Sequence, residues 1–157
     1  MKNKLFSILV KSLIFLSYFA SHALSQELKF EAGTIENIDE NTIKASNKIV
    51  ISDDLGIKIY ADKFIYNKEK KFLTAEGNVL AIDLLKNIKI QSNKIEFDKL
   101  NNKIFSKGKT YFDLNKKFKI ELKNVNYKIS ESIISSEEIT KVNDDLNNKI
   151  RLSSFIY

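Results

Sequence analysis

The sequence predicts an all-β fold assembled from stacked units of ~30 residues, and three observations carry that prediction. The first is a repeat. The segment Ile57 to Val79 (IKIYADKFIYNKEKKFLTAEGNV) returns as Ile88 to Thr110 and again as Phe118 to Thr140, with starts 88 − 57 = 31 and 118 − 88 = 30 residues apart. Four columns align without gaps: Ile59/Ile90/Ile120, Phe64/Ile95/Val125, Tyr66/Phe97/Tyr127 and Leu73/Ile104/Ile134, and Gly77 coincides with Gly108 and with Glu138. The second is alternation of apolar and polar residues with β-branched and aromatic types in excess, the pattern of a half-buried strand. The third is a change of phase: Ile57, Ile59 and Ala61 are odd, whereas Phe64 and Tyr66 are even. Successive strand side chains point to opposite faces, so keeping both sets on one face requires a bulge or corner near Ala61 to Lys63 and its equivalents.

Each copy therefore reads as a strand, a corner and a second strand. A turn rich in Lys, Asn and Asp follows (Asn67 to Lys71, Asp98 to Lys103), and then a third strand carrying the glycine. The glycines mark a bulge or a close backbone approach. A weaker copy precedes these, with Phe30, Ala32, Ile35 and Asn37 matching Ile59, Ala61, Phe64 and Tyr66, and Ile43, Ala45, Asn47 and Ile49 matching Leu73, Ala75, Gly77 and Val79. Asp53, Asp54 and Gly56 form the turn into the first clear copy, and Ile150, Leu152, Phe155 and Tyr157 repeat the Ile59, Ala61, Phe64 and Tyr66 pattern in an incomplete fifth. The copies start near 28, 57, 88, 118 and 148.

Before them, Lys2 and Lys4 lead an apolar run from Leu5 to Ala20, and small residues then offer cleavage after Ala23 or Ser25. That is the layout of a secretory signal peptide over residues 1–25, with one β-domain over 26–157. The run is shorter than the ~20 residues that span a bilayer, and Lys11 interrupts it. The 157 residues, 43% of them hydrophobic, suffice for one domain with a core.

Composition narrows the function. There is no Cys, so no disulfide staples an exported domain. The one His, His22, lies in the leader, which removes the usual zinc, copper and thiol chemistry from the mature chain. Without Lys2, Lys4 and Lys11, 26 − 3 = 23 basic residues face 20 acidic ones, a balance unlike a nucleic-acid footprint. No phosphate loop, nucleophile elbow or HExxH is present. The acidic pairs Asp53–Asp54, Glu137–Glu138 and Asp144–Asp145 are neighbours in sequence, and neighbours on a strand face opposite ways. No enzyme, cofactor, metal or nucleic-acid partner is expected, and most lysines read as a solvated outer face.

The run ADKFIY, a short charged turn and LTAEGNV, echoed by SNKIEF and KNVNY, resembles the OstA-like (organic-solvent-tolerance-like) domain of the lipopolysaccharide transport machinery. That domain makes up the periplasmic bridge protein (LptA) and the N-terminal periplasmic part of the outer-membrane assembly protein (LptD). The resemblance covers nearly the whole mature chain. It implies an open antiparallel β-jelly roll (β-taco) whose two sheets enclose an apolar groove, and a lipopolysaccharide carrier in the periplasm associated with the outer membrane. Acyl chains of lipid A would lie among Ile59, Phe64, Tyr66, Ile90, Ile95, Phe97, Ile120, Val125 and Tyr127. Whether facing apolar strips form a slot or a filled core stays open at this level. The partners implied are lipopolysaccharide, other OstA-like domains and an outer-membrane barrel. The C-terminal edge that would pair with such a domain is Ile150, Leu152, Phe155 and Tyr157, and the complementary edge is Leu28 to Ile35. The missing cysteines leave disulfide control of assembly unsupported. The fifth copy stops at Tyr157, which leaves open a bridge protein or an N-terminal part of the outer-membrane protein. The alternative is a structural exported β-domain that only pairs edge to edge.

Overall fold

The structure, a computed structural model, describes residues 28–52 and 56–157, with backbone alone at 47–50 and 52. The expected leader and its cleavage site, the pair Asp53 and Asp54, and the side chains of Asn47 and Ile49 lie outside the described residues. Among the described residues twelve strands form: β1 (Lys29–Glu31), β2 (Thr34–Asn37), β3 (Thr42–Ser52), β4 (Ile57–Asn67), β5 (Phe72–Asp83), β6 (Ile88–Asp98), β7 (Lys103–Leu114), β8 (Phe118–Lys128), β9 (Ile133–Ser136), β10 (Thr140–Asp144), β11 (Lys149–Leu152) and β12 (Phe155–Ile156). All pairings are antiparallel, along the order β1-β3-β4-β5-β6-β7-β8-β10-β11, with β2 on β3, β9 on β8 and β12 on β9.

Every long strand changes register in its middle, between Ser46 and Ile49, Tyr60 and Lys63, Glu76 and Val79, Ser92 and Ile95, and Ser106 and Lys109. These shifts fall where the apolar phase changes. An extra residue bends the strand while the ladder continues on both sides. The strand, corner and second strand of each copy are thus one bent strand of 11 residues, as in β4, β6 and β8. The following strand bends too, and its glycine sits at the bend. Gly77 (φ +80°) and Gly108 (φ +75°) take the left-handed backbone there, joined by Asn78 and Asn124.

Stacking these corners folds one sheet into two facing halves. Half A holds residues 57–60, 79–83, 88–92, 109–114 and 118–123, and half B holds 63–67, 72–76, 94–98, 103–106 and 125–128. At the ends the chain crosses between halves as separate short strands, β1 to β2, β9 to β10 and β11 to β12. The free rims of the halves are the hairpin tips. Four of the tips open on an Asn or Asp whose Oδ1 accepts the backbone N–H three residues on: Asn67 from Lys70, Asp83 from Lys86, Asp98 from Asn101 and Asp113 from Lys116, at 2.7–3.0 Å.

Candidate functional site: the apolar interior

The interior is built of rows that cross the strands. On half A one row runs Ile51, Ile59, Ala81, Ile90, Phe112, Ile120, Val142 and Ile150. On half B two rows run parallel to it. One is Ala45, Phe64, Ala75, Ile95, Ser106 and Val125, and the other is Ile43, Tyr66, Leu73, Phe97, Ile104, Tyr127 and Ile134. Because the copies keep their phase, each row is unbroken along the stack. All nine residues expected to line a groove face this interior, and each is between 0 and 7% exposed. They pack with Leu73, Phe112, Leu114 and Ile134 into one apolar cluster.

At the corners the lining turns polar. Ser106 and Thr110 share a 2.7 Å hydrogen bond, Thr110 reaches the Ser92 hydroxyl at 3.3 Å, and the Ser136 hydroxyl donates to the Lys123 carbonyl at 2.6 Å. Ser92, Ser106 and Thr110 satisfy one another and Ser136 a backbone carbonyl where the ladder is interrupted, as buried polar groups must.

Opposite the corners the two rims meet. The Tyr127 hydroxyl on half B donates to Asp83 Oδ2 on half A at 2.7 Å, and Lys86 Nζ stands 3.9 Å from the same oxygen. Lys86 Nζ also donates to the Ile129 carbonyl and lies 5.8 Å from the centre of the Tyr127 ring. Burial, reinforced by the bond to Asp83 and its charge, holds the Tyr127 phenol well above its usual range. This clasp joins the rims beside a small cavity of about 170 Å³.

The two ends of the interior differ. At the N-terminal end Phe30 stacks on Phe64 (centroids 5.0 Å) and tilts against Tyr66 (5.4 Å), so β1 covers the first rows, and Leu28 is buried beside it. At the C-terminal end β11 pairs only with β10, leaving Ile150 52% and Leu152 37% exposed. Of the other expected edge residues, Phe155 is buried and pairs with Ser136, whereas Tyr157 is 54% exposed. Among the described residues, no group of His, Cys, Asp and Glu is placed to hold a metal ion.

Asp83 and Lys86 were not singled out in the sequence, and Phe30 was read there only as a counterpart of Ile59 and part of the N-terminal edge. Asp83 carried a signal, since it occupies an inward register between Ile57 and Ile88 that Leu114 fills in the next copy.

No protein-family model matches the chain, and no curated protein sequence does. The structure is similar to the crystal structure of LptH from Pseudomonas aeruginosa, the LptA-homologous periplasmic component of the conserved lipopolysaccharide transport device, with a TM-score of 0.64. The likeness covers 82% of this chain and 95% of that one at 10% sequence identity. The fold is an LptA-like open jelly roll, as the repeat pattern and the OstA-like resemblance led us to expect.

Proposed function

We propose that the protein is an exported, periplasmic lipopolysaccharide carrier that holds acyl chains between its two halves and passes the lipid towards the outer membrane unchanged. One observation carries this reading: the apolar row of half A runs without interruption from Ile51 to Ile150, where it ends uncovered, on a backbone like that of a lipopolysaccharide transport component. A buried methylene gains ~0.8 kcal/mol, so a chain of about a dozen gains roughly 10 kcal/mol on leaving water. If the halves part to admit it, their side chains exchange contacts with each other for contacts with the chain and stay out of water. The cost is then confined to the clasp and to the strain of parting.

The leader over residues 1–25 supports export, and the uncovered edge at β11 supports head-to-tail pairing with another domain of this fold, which would continue the rows past Ile150. The near-complete burial of all nine lining residues favours a second reading, a structural β-domain that only pairs by its edges.

The two separate by photo-crosslinking. A benzophenone side chain at Phe64, Phe97 or Val125 captures lipopolysaccharide under the carrier reading, and one at the outward Lys63 or Lys94 does not. Equal labelling of both sets, or none, supports the structural reading.

A further inference from the structure

The copies also share a polar column. The second residue of each is lysine, Lys58, Lys89, Lys119 and Lys149, and in the sheet these form one row on the outer face of half A: Lys58, Ile82, Lys89, Asp113, Lys119, Asn143, Lys149. Successive lysines lie two strands apart, roughly 10 Å at the usual strand spacing. Each is one residue in from the rim, where Ile57, Ile88 and Phe118 stand. Lys89, Lys119 and Lys149, with Lys141, line a cavity of about 700 Å³ together with Tyr111 and Gln91. Its charged lining is four lysines against Asp113 and Glu121, 4 − 2 = +2. Glu121 is already held by Lys109 and Lys141 at 3.2 Å each, and one Asp113 oxygen accepts the Lys116 N–H of its turn. Among the described residues, no ion pair forms at Lys89, Lys119 or Lys149. Three unpaired ammonium groups in register are a matched receptor for phosphates carried at similar spacing on one molecule.

We propose that Lys89, Lys119 and Lys149 form an anion rail that binds the phosphate groups of a multiply phosphorylated lipid headgroup. The inference rests on the carrier reading above: acyl chains lie between the halves, the headgroup crosses the rim, and its phosphates settle on the row one residue beyond. The cavity is a concave pocket open on one side, which suits a discrete saccharide headgroup rather than a flat bilayer.

The test uses the mature chain and a triple variant, Lys89→Gln, Lys119→Gln and Lys149→Gln, checked for fold by circular dichroism. Both are titrated with detergent-dispersed lipid A and with the same lipid after phosphatase treatment. The rail predicts that the variant binds lipid A on the order of tenfold more weakly, from three exposed charge pairs. The loss should shrink as salt rises, and both proteins should bind the dephosphorylated lipid alike. Millimolar pyrophosphate should weaken lipid A binding to the parent only. Equal affinity of parent and variant for lipid A overturns the rail while leaving the carrier reading intact. Failure of the parent to bind either lipid overturns the carrier reading and the rail with it. Lysine-dependent co-sedimentation with anionic phospholipid vesicles, without any preference for lipid A, assigns the row to a membrane surface and overturns the rail.

Discussion

Replacing Tyr127 by Phe removes one oxygen from the clasp and little else. The ring stays in its row between Ile104 and Ile134, while Asp83, 2% exposed, loses the donor at 2.7 Å. A hydrogen bond to a buried charged group is worth about 1.5–3 kcal/mol, and Lys86 at 3.9 Å compensates only in part. We therefore expect a loss of about 2 kcal/mol, or roughly 8 °C in Tm for a domain of this size. Asp83→Asn should cost a similar amount. The double variant should cost less than the sum, with a coupling of at least ~1 kcal/mol. The pH dependence has a definite sign. The folded pKa of Tyr127 is raised above its ordinary 10.0, so its contribution is whole below pH 10 and is lost as pH climbs above that value. The parent should lose Tm faster than Tyr127→Phe above pH 10. Thermal melts followed by circular dichroism from pH 7 to 11 measure all of this. A Tyr127→Phe Tm within about 1 °C of the parent, or additive single costs, would refute the clasp.

The corners and ends offer further outcomes. At Gly77 an added Cβ would meet the Asp62 Cβ at 3.0 Å and its Oδ2 at 2.5 Å, whereas at Gly108 nothing lies within 4 Å. Gly77→Ala should therefore cost more in urea denaturation than Gly108→Ala, which carries only the ~1–2 kcal/mol of a left-handed backbone. Phe30→Ala, which strips the stacked ring from Phe64, should destabilise by about 1–3 kcal/mol and raise lipid uptake at that end, read by melting and by binding of a fluorescent lipid. Ile150→Lys, at a site already 52% exposed, should leave Tm unchanged yet weaken concentration-dependent self-association in sedimentation velocity.

The fold was legible because three copies keep both their spacing and their phase. The switch from Ile59 to Phe64 placed the corners, and the register shift between Tyr60 and Lys63 lies there. What the alternation did not show is that the ladder survives the corner, so each pair of short strands is one bent strand. Nor could it show which residues meet across the interior. Tyr127 and Asp83 are 44 positions apart on opposite halves, and only the closing of the rims brings them within 2.7 Å. Phe30 aligned with Ile59 in the copies but packs on Phe64, because the first strand is broken and its ring can reach across. The lysine column was visible in sequence as a solvated face, and its continuity as a row depends on pairings that only the sheet supplies.

The most direct test of the carrier reading is an intermolecular nuclear Overhauser experiment with methyl-labelled isoleucine and lipopolysaccharide bearing protonated acyl chains. Contacts from acyl protons to the methyls of Ile59, Ile90, Ile95 and Ile120, with none to the outward Ile65 and Ile82, are what the account predicts. Contacts confined to outward methyls, or none at saturating lipid, would contradict it.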